Sequence, residues 1–258
     1  MFINSYKPPA LDTTADGSFA EPYDLNSSIP VPALLETTRV QLVPFTPALH
    51  AQLFADELAK DAAAVSRYLP MSWSSLADVL HFAETVIRRD PTATLFAIID
   101  KTRPPAEGDG AAAPVPAGRI AGVIGWVHGS VQNRALELAP VVVLPAFQRT
   151  FVSANAIGLL LKYALDAPAA GGLGFRRVAW SANPLNVASI GAAEKMGFVR
   201  EGVMRWSWVL PPGKEGNVVH EDEERGSGNG RDSVVLSLCW DRWISGARDV
   251  VVARMERV

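Results

Sequence analysis

The sequence predicts an α+β (mixed α/β) fold in a single domain, with a central mixed sheet of about seven strands flanked by helices. Three observations carry this expectation. Stretches of strict apolar–polar alternation are interspersed with stretches of helical spacing instead of being grouped at one end. Read in order they give strand, two helices, three strands, helix, strand, helix and two strands. One sheet satisfies that order if antiparallel meanders flank a parallel crossover. Two proline- and glycine-rich stretches, residues 101–118 and 211–230, can be removed without disturbing the order, so they read as loop insertions in one domain.

Residues 1–36 include "PPALDTTADGSFAEPYDLNSSIPVP" and show no sustained period. They read as an extended arm, disordered or wrapped on the domain formed by residues 37–258. Thr38–Phe45 alternates as a first strand. "TPALHAQLFADELAK" follows at helical spacing with Thr46 as the expected N-cap. "SSLADVLHFAETVIRRD" repeats that logic, with Ser74 or Ser75 as cap and arginines in the last turn. "TATLFAIID", "IAGVIGWVHG" and "RALELAPVVVL" are strands, the last two consecutive and antiparallel. In "FVSANAIGLLLKYALDA", Ile157, Leu160, Leu161, Ala164 and Leu165 form a continuous apolar helix face. "FRRVAWSA" is a strand, Asn186 to Gly197 a short helix, and "FVREGVMRWSWVL" and "DSVVLSLCW" a final antiparallel pair. The closing "DRWISGARDVVVARMERV" is read as helical, and no internal repeat is visible.

Composition narrows the function classes. At 258 residues, 48% hydrophobic and 20% charged, the chain has the make-up of an ordinary globule. A formal charge of −3 without a dense basic stripe gives no reason to expect nucleic acid as a partner. No apolar run approaches a membrane span, and the N-terminus lacks the charged and apolar regions of a signal peptide. The single cysteine, Cys239, excludes an internal disulfide, fits a reducing compartment and is read as core. A cytoplasmic protein is expected, with the nucleus left open. His50, His81, His128 and His220 show no metal-ligand spacing, so no metal is expected.

The stretch "NPLNVASIGAAEKMGFVREG" raises a sharper question. On a helical wheel Glu194 and Lys195 face solvent, while Asn186, Ser189, Ala193 and Met196 cluster on the other side, and Gly197 suits the left-handed stop. An inward polar pair must find partners, since each unsatisfied group costs ~1–3 kcal/mol. Helix capping by Asn186 and back-bonding by Ser189 would supply them; a ligand is the other reading.

This segment resembles the signature of the GCN5-related N-acetyltransferases, in which Asn-x-x-Ser opens a helix ending in Gly-Phe. Upstream, "ELAPVVVLPAFQRTFVSANAIGLLLKYAL" is similar to the family's acetyl-CoA strand, pyrophosphate loop and following helix. Downstream, "GVMRWSW" and "GNGRDSVVLSLCWDRW" resemble the subfamily containing the ribosomal-protein N-terminal acetyltransferases. The likeness runs from about Thr38 to Trp243 with the elements in family order. Two positions depart from it. Phe151 and Ser153 stand where the loop pattern has small residues, although Thr150 and Val152 match a Gly-Thr-x-Val version. Ala193 stands where many members place a tyrosine as general acid.

The resemblance implies acetyl-CoA as co-substrate and direct acetyl transfer to a primary amine, on a small molecule or a peptide N-terminus, in a ternary complex. It implies two central strands diverging just past Leu138. Val141, Val142 and Val143 would bond the pantetheine arm, and Gln148, Arg149, Thr150, Phe151, Val152 and Ser153 would hold the pyrophosphate at a helix start. Asn186 would bond the pantetheine amide, and Ser189 would lie near the sulfur. Glu137 is the candidate base, its alternative role being that of an exposed cross-strand partner. Tyr68, Trp73, Arg205, Trp206 and Trp208 are candidates for the acceptor side, core filling being the alternative for the aromatics. Trp206 and Trp208 are expected on one face of their strand. The acidic run Glu221–Glu224 is either a solvated loop or an attractor for a cationic amine. A non-catalytic acetyl-CoA-binding or interaction module of the same fold is the alternative function, and the terminal helix and arm could serve a homodimer.

Overall fold

A computed structural model describes residues 22–105, 118–219 and 226–257. Its strands are β1 (Leu35–Glu36), β2 (Val40–Pro44), β3 (Thr94–Asp100), β4 (Arg119–Ser130), β5 (Ala135–Val143), β6 (Arg177–Ala182), β7 (Val199–Val209) and β8 (Gly230–Cys239). They form one eight-stranded sheet in the order β1-β2-β3-β4-β5-β6-β8-β7. Every neighbouring pair is antiparallel except β5 with β6. The strand beyond the expected seven is β1, taken from the segment read as arm and held to β2 through Leu35–Leu42 and Glu36–Gln41. Two residues are too short to show an alternation, so only pairing reveals them.

The helices are α1 (Pro47–Leu58), α2 (Ala62–Ser66), α3 (Leu76–His81), α4 (Phe151–Leu165), α5 (Val187–Lys195), α6 (Trp240–Arg242) and α7 (Arg248–Glu256). Helix α3 runs on as a π-helical segment, Phe82–Arg88. All seven positions of β3 are buried, which requires cover on both faces of the sheet. One layer is α4 backed by α7; the other is α1 with α3 and its continuation. The expected apolar face of α4 is buried, and so are Asn155, Ala156 and Gly158, because α7 closes the side turned away from the sheet. Gly158 permits that approach, since a Cβ there would come within 2.3 Å of Met255 Sδ. Asn155 is satisfied inside this junction: it accepts from Thr37 at 2.8 Å and donates to the carbonyls of Phe151 and Met255.

Residues 22–34 lie against the domain. Tyr23 donates to Glu84, Ser28 bonds the carbonyl of Pro91, Ile29 is 1% exposed, and Tyr163 donates to the carbonyl of Pro30. Residues 211–219 of the second insertion are docked as well. Lys214 Nζ donates to the carbonyls of Ser66, Leu69 and Met71, tying the insertion to the α2–α3 connection. The acidic run Glu221–Glu224 lies outside the described residues. Among the described residues no helix is long and apolar enough to cross a membrane.

Helix capping follows the sequence with one exception. Ser75 caps α3 in a capping box with Asp78. Thr46 occupies the N-cap position of α1, but its side chain makes no cap bond; instead Thr46 N–H donates to His50 Nδ1 at 3.0 Å. That bond fixes Nδ1 as an acceptor. Burial pushes the His50 imidazole down from its ordinary 6.5 to about 4. A depressed pKa stabilises the fold fully above the unfolded value and loses that contribution as pH falls. Stability should therefore drop by about 3 kcal/mol between roughly pH 6.5 and pH 4 on account of His50. Urea titrations across that range check it: His50→Asn should flatten the slope, and an unchanged slope would refute the assignment.

Candidate active site

The central feature is a parting of two strands. The parallel β5–β6 ladder covers only Ala135–Glu137 against Arg177–Ala179. Beyond it β6 stays with β8 as far as Ala182, while β5 stays with β4 as far as Val143. The last parallel pair is Glu137–Ala179, one residue before the expected divergence at Leu138. Opposite Gly125 the β4–β5 register slips, with Ile124 facing Val141 and Trp126 facing Leu138, so Ala139 and Pro140 form a bulge. Pro140 has no N–H to give to a ladder. Strands that part leave donors and acceptors turned toward the gap, and Val141–Val143 line its β5 side.

Glu137 stands at the apex of that gap. Trp126 and Leu138 are opposite one another, and Trp126 stacks on Tyr163 of α4, so this pair faces α4. Val127 and Glu137, the neighbouring pair, face the other way. The Glu137 side chain is 17% exposed and its Oε2 lies 3.2 Å from His128 Nδ1. Burial raises its pKa, but hydrogen bonds from His128 and Ser181 and the charges of His128 and Arg231 outweigh that and hold it below the ordinary carboxylate value. It is an ionised, well-held carboxylate, not a loosely solvated cross-strand partner.

The loop after β5 delivers helix α4. Gln148 donates to the carbonyl of Val143 at 3.0 Å, folding the loop back on the strand. Arg149 takes a left-handed φ of 60°. Thr150 caps α4, accepting from Val152 N and donating to the carbonyl of Phe147. Phe151 lies within the helix, and its ring is stacked under the Arg39 guanidinium, 4.3 Å from carbon to centroid. Arg39 precedes β2, three strands from the β5–β6 gap, so this ring does not plug the gap. Across the gap, Asn186 caps α5 by accepting from Ser189 N at 3.0 Å, and Ser189 Oγ accepts from Trp180 Nε1 at 3.1 Å. Capping thus engages the Asn186 carbonyl, while its amide NH2 has no protein partner among the described residues. Ala193 is wholly buried.

On the acceptor side the candidates divide. Trp73 is 3% exposed and packs edge-on against Phe54 and Phe82. It is core, not the acceptor surface the sequence suggested, because α1 and α3 close around it. Tyr68 is half-buried, and Trp206 and Trp208 are 48% and 43% exposed. The two indoles do not follow simple alternation. The β7–β8 register jumps from Met204–Ser233 to Trp208–Arg231, and Trp206 has a left-handed φ of 53° with its N–H on Asp232. Arg205 is exposed on that bulge. Trp206 lies against Gly230, where a Cβ would meet its ring at 2.1 Å.

Sequence reading missed three groups around Glu137. Ser181 reaches it from β6 and His128 from β4. Arg231, 6% exposed on β8, donates only to neutral oxygens of Tyr68, Asp232 and Ser233 at 3.2–3.4 Å. Burial lowers its pKa and the Glu137 charge works against that. Burial and the Arg231 charge lower Lys214. A Gly after His128 inside a strand was the available signal for a bulge; nothing local marks Ser181. The widest groove, about 500 Å³, is lined by Arg39, Asn155, Lys162 and Met255 on the α4–α7 side, and none of the candidate residues line it.

Comparison with known proteins agrees with this geometry. The family sequence profile described as the acetyltransferase (GNAT) domain matches residues 39–199. No curated protein matches. Among solved structures, a GCN5-related N-acetyltransferase from Brucella melitensis has a TM-score of 0.68 at 21% identity, covering 88% of this chain and 86% of that one. RimJ of Mycobacterium smegmatis in complex with CoA-disulfide has a TM-score of 0.58 at 15% identity, covering 83% and 88%. An acetyltransferase from Salmonella typhimurium, described as modifying the N-terminal serine of a 50S ribosomal subunit protein, has a TM-score of 0.57 at 15% identity, covering 80% and 98%. At these identities the structures establish a shared fold.

The placement of Trp73 predicts that Trp73→Ala will cost about 3–5 kcal/mol in chemical denaturation. Trp208→Ala should stay within about 1 kcal/mol of the parent. Equal stabilities would contradict the division between core and surface.

Proposed function

The chain belongs to the GNAT acetyltransferase family, and on that premise we propose that it transfers acetyl from acetyl-CoA directly to a primary amine, on a small molecule or a peptide N-terminus, with Glu137 as base. The observation that carries the reading is the coincidence of two features. The strands part after Glu137, and the ionised carboxylate of Glu137 sits where they part.

The chemistry follows from what each group can do. An alkyl amine is an ammonium at neutral pH, with an ordinary pKa near ~10, and has no lone pair until a proton leaves. Glu137, directly or through water, takes that proton. The amine nitrogen then attacks the thioester carbon, the C–S bond breaks, and the departing thiolate takes a proton. Backbone N–H groups on the gap side of Val141–Val143 are suited to the pantetheine arm and to the oxyanion. The start of α4, with Arg149 beside it, suits the pyrophosphate, and the ring of Phe151 leaves that approach clear. The amide NH2 of Asn186 suits a pantetheine carbonyl. Ser189, which accepts from Trp180, keeps its own proton free to donate toward sulfur, and so takes the place of the tyrosine that Ala193 lacks. Tyr68, Trp206 and Trp208 are offered as the acceptor's apolar contacts. Lys214 supports this by holding the β7–β8 insertion against the α2–α3 connection.

Glu137→Gln should lower kcat/KM by about 10²–10⁴-fold while acetyl-CoA binding, read by calorimetry, stays unchanged. Free-thiol release with an amine panel is the assay. Unimpaired turnover in the variant would remove Glu137 as base. Tight acetyl-CoA binding by the parent with no thiol release from any amine would instead identify a non-catalytic module.

A further inference from the structure

His128 carries a feature that the transfer reaction, as described, does not use. It follows Val127, which is directly opposite Glu137, so regular alternation would send its side chain to the other face of the sheet. The backbone prevents that. Between Val127–Glu137 and Ser130–Ala135 the register shifts, and His128 takes a left-handed φ of 53°. The resulting bulge turns the imidazole back onto the Glu137 face, with Nδ1 3.2 Å from Oε2. Non-glycine residues hold such a backbone at a cost, and bulges next to active sites serve to re-aim side chains. The following residue cannot relieve it, because a Cβ on Gly129 would lie 2.2 Å from Ile29 Cδ1 and 2.9 Å from the Thr92 carbonyl.

Exposure completes the pattern. The Glu137 side chain is 17% exposed and that of His128 69%, so the imidazole spans the distance from a sheltered carboxylate to open solvent. A carboxylate below the ordinary 4.5 is a poor final holder for a proton from an ammonium near ~10, because the transfer is uphill by several powers of ten. An efficient base has a pKa close to the working pH.

We propose that His128 is the positioning and relay residue of the Glu137 base, carrying the acceptor's proton from the carboxylate to solvent. This rests on the acetyltransferase reading above. In the working tautomer Nδ1 is unprotonated and Nε2 carries hydrogen. The ammonium N–H bond breaks as the proton goes to Glu137. That proton passes from Oε2 to Nδ1, Nε2 releases a proton to water, and the neutral ring returns. The charges facing the imidazole are Glu137 and Asp90, while Arg231 and Ser181 face the carboxylate from β8 and β6. The hydrogen bond to Glu137 and the two negative charges raise the His128 pKa above 6.5 in spite of partial burial.

His128→Asn is the test, since asparagine tolerates the left-handed backbone. The expected result is a fall in kcat/KM of between about 10- and 100-fold near pH 7. The fall should come with an unchanged KM for acetyl-CoA, a lost or displaced acidic limb in the pH profile, and partial rescue by added imidazole. A pH profile that superimposes on the parent's overturns the proposal while leaving the acetyltransferase reading intact. A second measurement is independent of turnover. The His128 imidazole, followed by NMR in the parent, should titrate above 6.5 and shift downward in Glu137→Gln; an unmoved titration overturns the coupling. Parent protein that releases no thiol from acetyl-CoA with any amine overturns both the relay and the reading it rests on.

Discussion

Everything at the centre of this molecule follows from where β5 and β6 stop sharing hydrogen bonds. Two strands that are each committed elsewhere, β5 to β4 and β6 to β8, can stay parallel for only a short distance. The bulge at Ala139–Pro140 bends β5 along its β4 edge, and the proline withholds a donor just where a longer ladder would need one. The result is a gap bounded by backbone polar groups on one side and the start of α5 on the other. An unpaired backbone group in a protein interior is costly, so a gap of this kind persists only if water or a ligand satisfies it.

The second constraint is electrostatic. A carboxylate as sheltered as Glu137 survives in ionised form only with compensation. The structure supplies it from three different strands: His128 on β4, Ser181 on β6 and the charge of Arg231 on β8. Arg231 and Lys214 are buried cations that bond neutral oxygens instead of carboxylates. Their charge is therefore not cancelled locally and acts on the site as a field. This arrangement keeps Glu137 a base. It also explains why the second insertion is more than decoration, since Lys214 is one of its residues.

The two departures from the family pattern have physical explanations. Phe151 is tolerated where a small residue is common because it sits inside the first turn of α4, with its ring drawn toward Arg39. The left-handed residue of the loop is Arg149, two positions earlier, so the backbone at Phe151 does not need glycine. Ala193 is packed in the core beneath α5, where a tyrosine ring would need space that is filled.

Sequence alone determined the elements whose signals are local. The helical face of α4, the capping box at Ser75, the Asn186 cap, the glycine stop of α5 and the alternating strands could all be read from neighbours in the chain. So could the family, because its motifs are short and occur in order. Tertiary structure decided what depends on residues far apart in sequence. The pairing that makes β1 a strand, the closure of Phe54 and Phe82 around Trp73, and the bulges that re-aim His128 and Trp206 all depend on a partner strand or helix. Glu137 shows both sides. Its strand and candidacy were legible, whereas its charge state was set by groups from β4, β6 and β8 that no spacing rule brings together.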